Sequence, residues 1–166
     1  ALADFDAAIR IQPDFAEVFY NRAVVLHELE RLSEALSDYQ VAISLTPANA
    51  DAYYGLGKVL NAGRYLSAAL SAYDKAILLN AQSALAYRGR GIALHRMMRF
   101  AQSMESYDVA ITIEPDDASA YNNRGIVFKD LKRFAQAMDD YDRAIVINDR
   151  YLEAYWNKAI GKLLLE

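Results

Sequence analysis

Apolar positions along the chain recur at spacings of three and four, which places side chains on one face of a helix. The whole pattern returns every 34 residues. Phe5-Asp6-Ala7-Ala8-Ile9 comes back as Tyr39-Gln40-Val41-Ala42-Ile43, Tyr73-Asp74-Lys75-Ala76-Ile77, Tyr107-Asp108-Val109-Ala110-Ile111 and Tyr141-Asp142-Arg143-Ala144-Ile145. Self-similarity at one period of this length marks a repeat array, whose units bury their apolar faces on their neighbours.

Two helices fit each unit. The second carries a small residue, an aromatic and an alanine on one face: Ala35, Tyr39, Ala42; Ala69, Tyr73, Ala76; Ser103, Tyr107, Ala110; Ala137, Tyr141, Ala144. The first carries an aromatic at Phe19, Tyr53, Tyr87, Tyr121 and Tyr155, and four residues later a small residue at Ala23, Gly57, Gly91, Gly125 and Ala159. A small side chain lets a second helix approach closely, a packing reason for a glycine that otherwise costs about 1 kcal/mol inside a helix. Asn49, Ser83 and Asp117 stand where a side chain can cap the next helix. Pro13, Pro47 and Pro115 share one register just after the second helix, replaced by Ala81 and Asp149 in the other copies.

The predicted organisation is all-α: a half repeat 1–15 with a helix over 1–12, full repeats 16–49, 50–83, 84–117 and 118–151, and a half repeat 152–166 with a helix over 152–165. No strand pattern appears. Leu2, Phe5 and Ile9 at one end and Leu163-Leu164-Leu165 at the other are left without a covering helix. Terminal repeats normally carry a polar outer face. The expectation is a fragment of a longer array or, alternatively, end-to-end self-association through helices 1–12 and 152–165.

Composition narrows the functional classes. The net charge of −4 argues against general nucleic-acid binding. The absence of cysteine removes disulfides, thiolate zinc sites and thiol nucleophiles. No apolar run is long enough to span a membrane, so no membrane partner is expected, and a cytoplasmic location fits. His27 and His95 sit two repeats apart and cannot share a metal. Gly55-Leu56-Gly57 and Gly89-Arg90-Gly91 lie inside helices rather than after strands, so neither reads as a phosphate loop. Asp139, Asp140 and Asp142 read as a solvated helix face. No catalytic set, metal or cofactor is expected.

The register Tyr121, Gly125, Phe128, Phe134, Ala137, Tyr141, Ala144, repeated across the chain, resembles the tetratricopeptide repeat. The resemblance implies a right-handed superhelix (an α-solenoid of antiparallel helix pairs) that binds peptide segments in a concave groove. One departure is the family's leucine beside the small residue. Arg22, Arg90, Arg124 and Lys158 stand there, and only Leu56 conforms. Such side chains are expected to pack their stems and expose their heads.

The face of each first helix not used for packing is the candidate groove. It reads Tyr20, Asn21, Val24 and His27; Tyr54, Lys58 and Asn61; Arg88, Ile92, His95 and Arg96; Asn122, Asn123, Ile126 and Lys129; and Trp156, Asn157 and Ile160. The aromatic and branched aliphatic rows suit a contact surface, or alternatively stiffen the array. Glu17, Glu28 and Asp51 make one end acidic, while Lys58, Arg88, His95 and Arg96 form a basic island that fits an anionic segment. The clamp by which related domains hold chaperone tails is missing in every register. Asn21, Asn123 and Asn157 resemble three rungs of the asparagine ladder of O-GlcNAc transferases, interrupted by Gly55 and Gly89. The functional expectation is a protein- or peptide-binding scaffold, not itself an enzyme, with a substrate-recruiting arm of such a transferase as the alternative.

Overall fold

The computed structural model describes residues 2–164, and the described residues form α-helices joined by short turns, with no strand among them. Ala1 of the first predicted helix, Leu165 of the last and Glu166 lie outside the described residues. The chain divides into two compact units, Ala1–Ala81 and Gln82–Glu166. The first contains α1 (Leu2–Ile11), α2 (Ala16–Glu28), α3 (Leu32–Leu45), α4 (Ala50–Ala62) and α5 (Leu66–Leu79). The second contains α6 (Ala84–Arg96), α7 (Phe100–Ile113), α8 (Ala118–Asp130), α9 (Phe134–Ile147) and α10 (Leu152–Leu163). Within each unit every helix packs on the next, and first helices also touch, α2 on α4 and α8 on both α6 and α10. This is the helix-pair packing of an α-solenoid.

Local chemistry sets the helix ends. The Asn49 side chain accepts from the Ala52 amide at 3.0 Å, Ser83 from the Ala86 amide at 3.3 Å, and Asp117 from the amides of Ser119 at 2.9 Å and Ala120 at 3.2 Å. Each cap satisfies donors that a helix start leaves open. Pro13, Pro47 and Pro115 fall just beyond α1, α3 and α7. Between the helices of each pair the chain turns through one left-handed residue that is not glycine: Glu30, Arg64, Met98 and Lys132. The amide after it reaches back to a carbonyl of the first helix, as Arg31 to Leu26 and Arg133 to Phe128, which closes the helix C-terminus.

The core is built on tyrosine. Tyr73, Tyr107 and Tyr141 are almost fully buried, and each ring lies where a methyl group on the partner glycine would stand. A Cβ on Gly57, Gly91 or Gly125 would fall 2.6, 2.7 or 2.6 Å from the ring of its own second helix. A Cβ on Gly55 would fall 2.4 Å from Tyr39, in the preceding second helix. Ser103 replaces the alanine of the other units, and its buried hydroxyl donates to the Gly91 carbonyl at 2.8 Å, as a buried polar group requires.

The basic residues that replace the family leucine do not expose their heads. Arg124 donates through Nε and Nη2 to both oxygens of Asp140 at 2.8 and 2.7 Å, and through Nη1 to Asp108 at 2.6 Å. Arg22 makes the same three bonds, to Asp38 at 2.6 and 2.8 Å and to Asp6 at 2.6 Å. One carboxylate is 16 residues ahead, in the second helix of the same pair. The other is 16 residues behind, in the second helix of the preceding pair. One guanidinium therefore clasps three helices. Hydrogen bonding, to Asp38 and to Asp140 first of all, raises the proton affinity of Arg22 and Arg124 above that of free arginine. Asp140 is buried rather than part of a solvated face, and Asp142 pairs with Lys158. Arg90 reaches Ser106 at 2.7 Å. The helix carrying Leu56 has Gln40 and Ala72 at the two carboxylate registers, so the apolar residue occurs where both acids are replaced.

Four outcomes are expected. Tyr107→Ala lowers stability by about 3–5 kcal/mol as a large-to-small core change, and Gly91→Ala lowers it by about 1–3 kcal/mol by overpacking the same ring; denaturant melts without those losses would refute this packing. Arg124→Ala, which strands the buried Asp140 carboxylate, costs about 3–5 kcal/mol. The triple variant Arg124→Leu/Asp140→Ala/Asp108→Gln, which copies Leu56, Ala72 and Gln40, returns to within about 1 kcal/mol of the parent. A triple variant no more stable than Arg124→Ala would show that the three sites are not one energetic unit.

Candidate functional site

In the first unit, α2 and α4 present Tyr20, Asn21, Val24 and His27 beside Tyr54, Lys58 and Asn61. Tyr20 meets the edge of Tyr39 with ring centres 6.0 Å apart, and Tyr54 lies 6.1 Å from Tyr73. The groove-face tyrosines thus rest on the core tyrosines, and each is left half-buried. Lys58 places its ammonium 6.0 Å from the centre of the Tyr54 ring, within cation–π range. Burial, and then the nearby Lys58 charge, push the His27 imidazole below the usual histidine value despite Glu28. Tyr20 is pushed up by burial and by Asp51. Val24 packs against the core cluster around Leu26 and Tyr39, and Asn61 is buried.

A cavity of about 560 Å³ opens at the N-terminal ends of these two helices. Phe15, Tyr20, Asn21 and Asn49 line it together with the carboxylates of Asp14, Glu17 and Asp51. It offers aromatic faces and negative charge at once. Of its residues, Asp14 and Phe15 lie in the turn before α2 and Asn49 caps α4, so turn and cap chemistry place them beside the helix face. A second, mostly apolar cavity of about 520 Å³ is lined by Leu32, Leu36, Val59, Leu60 and Tyr65. It lies off the predicted face, and no sequence register singles it out.

In the second unit the predicted face is largely tied into the stack. Arg88 lies 2.9 Å from Asp117, the residue that also caps α8. His95 is 2.7 Å from Asp130 on the next first helix, and its ring lies tilted against Phe100 with centres 5.7 Å apart. Asn157 donates to the buried Asn122 at 2.9 Å, which fastens α10 to α8. Ile126 packs against the cluster of Phe128, Ala137 and Tyr141. Ile92, Asn123, Lys129 and Ile160 are half-buried, and Arg96 and Trp156 are exposed. Two of the four groups of the basic island, Arg88 and His95, are therefore already engaged by carboxylates. Asn157, a rung of the asparagine row, spends its amide on a neighbouring helix. These pairings join residues 29 and 35 positions apart, which no single-helix register reveals.

Among the described residues there is no cluster of three or more His, Cys, Asp or Glu that could hold a metal, and no helix long and apolar enough to cross a membrane.

Comparison with known proteins agrees with this geometry. The family model described as TPR repeat matches residues 25–62, and that described as Tetratricopeptide repeat matches residues 118–151. No curated protein matches the chain in sequence. Among solved structures, the chain is similar to TTC0263, a thermophilic TPR protein of Thermus thermophilus, with a TM-score of 0.82 and 20% identity over 98% of this chain and 89% of that one. It is similar to MamA with a TM-score of 0.81 and 21% identity over 92% and 89%. To the TPR domain of Arabidopsis OM64 the TM-score is 0.67, with 24% identity over 69% and 94%. At these identities the likeness is one of fold.

Proposed function

We propose that this chain, a tetratricopeptide-repeat protein, holds a partner segment against the first-helix face of its first unit, with a cationic side chain of the partner seated in the acidic cavity. Proteins of this fold are, in general, interaction scaffolds rather than catalysts, and fold alone does not name the partner. The reading is carried by the coincidence of the cavity with the face: Tyr20 and Asn21, singled out by register, line the same space as Asp14, Glu17 and Asp51. Aromatic rings beside carboxylates suit a lysine or arginine side chain, whose stem lies on the rings while its head meets the charges. The anionic-segment reading is weaker, since Arg88 and His95 already have carboxylate partners. Val24 supports the face from below by packing on the core cluster of the same unit.

Selection of a displayed random-peptide library on the purified chain tests this. Enriched peptides are expected to carry lysine or arginine next to an aromatic or aliphatic residue. Glu17→Lys/Asp51→Lys, at two exposed positions, is expected to weaken their binding by about tenfold or more with the thermal melt unchanged. Enriched peptides that are acidic, or that bind the double variant as well as the parent, would overturn the proposal.

A further inference from the structure

The second unit is electrically polarised along its helices. Its first helices α6, α8 and α10 run parallel, so the turns after α6 and α8 and the C-terminal end of α10 share one edge. Among the described residues, that edge carries Arg96, Arg99, Lys129, Lys132, Arg133 and Lys162, against a single carboxylate, Asp130, which His95 engages. The opposite edge carries Glu114, Asp116, Asp117, Asp149 and Glu153 with Arg150, and Arg88 reaches Asp117 from within α6. The chain as a whole is acidic, so the basic edge runs against its overall charge. It is also local: the corresponding α2–α3 turn of the first unit carries Glu28, Glu30 and Glu34, the last bound to Arg31.

Neutral partners hold two of the edge's arginines in place. Arg99 and Arg133 donate through Nε to Gln102 and Gln136, each at 2.6 Å, which fixes the guanidinium without cancelling its charge. Apolar tips stand among the cations. Met98 is 74% exposed, Leu163 72% and Leu164 52%, with Leu131 partly exposed. Met98 and Lys132 are the left-handed residues of their turns.

We propose that this edge is a docking surface for an anionic lipid bilayer. The groups stand as a row of tips on three successive chain segments. A protein partner would need carboxylates fixed to match that row, whereas lipid headgroups rearrange under it. Lys and Arg close to an anionic leaflet add attraction roughly residue by residue. Apolar tips between them enter the headgroup–acyl boundary, a gain that a nucleic acid or an acidic peptide does not offer. The length argument against a membrane-spanning segment leaves this mode untouched, because a peripheral contact needs no span.

Sedimentation of the chain with lipid vesicles tests the assignment. At low salt it is expected to bind vesicles of phosphatidylcholine with about one-third phosphatidylserine, and not vesicles of phosphatidylcholine alone. Arg99→Glu/Lys132→Glu is expected to lower binding by about tenfold or more. Arg10→Glu/Lys75→Glu, with the same change in net charge in the first unit, is expected to leave it unchanged. Met98→Ser/Leu163→Ser is expected to weaken binding while its salt dependence persists. If the first pair shifts the thermal melt, Lys129→Gln/Lys162→Gln carries the same test. The proposal is overturned by failure to bind the anionic vesicles, by equal binding to neutral ones, or by edge variants that bind as the parent does. Tighter binding to duplex DNA or polyglutamate than to lipid would equally assign the edge to another partner.

Discussion

A buried tyrosine ring pressed onto a helix backbone is the contact on which the stack depends. In the units holding Gly57, Gly91 and Gly125, the ring of the second helix occupies the volume that any side chain on the first would need. This excludes larger residues at the glycine and fixes both the rotation and the axial position of the second helix. With the pair locked, its remaining faces have defined neighbours. At Tyr39 the ring reaches forward to Gly55 as well, so the same side chain that closes one pair seats the next.

On that frame the arginine clasps add a different kind of specificity. Tyrosine packing is short-ranged and forgiving of chemistry elsewhere on the helix. A guanidinium bonded to a buried carboxylate is not, because removing the arginine leaves Asp38 or Asp140 desolvated and unpaired. The buried pairs therefore tie each first helix to the second helix of its own pair, and the exposed arms to Asp6 and Asp108 add a weaker link to the pair before. The Leu56 helix reaches the same end by apolar means, with Gln40 and Ala72 in place of the acids. Two chemically distinct solutions stand in one stack because the tyrosine contact holds the geometry constant beneath them.

How much was legible in the sequence follows from the distance over which each signal acts. Helices, caps and the buried tyrosines depend on spacings within one or two turns, so Asn49, Ser83, Asp117, Tyr107 and Gly91 stood out at once. The clasps were missed because Arg124 looks like a solvated cation until Asp108 and Asp140 are seen 16 residues to either side; the simultaneous loss of both acids around Leu56 was the available clue. The candidate face was harder still. Arg88 and Asp117, His95 and Asp130, and Asn122 and Asn157 pair between different helices, and nothing in a helical wheel separates a groove residue from a strut. Tyr20 and Asn21 were identifiable as surface, but the cavity beside them owes its shape to Asp14 and Phe15, in a turn that periodicity does not describe.

The clasps also set the grain at which such a chain can be recombined. Arg124 reaches back to the second helix before it and forward to the one after it, so a cut at the 117/118 boundary severs one arm, as a cut at 15/16 does for Arg22. A transplanted repeat would arrive with an arginine facing whatever the host supplied, or leave behind an acid with no cation. The block that can move without a charge mismatch is second helix, first helix, second helix, one half-unit out of step with the period of the sequence. Modularity here belongs to the ion pairs, and the visible repeat is only its ruler.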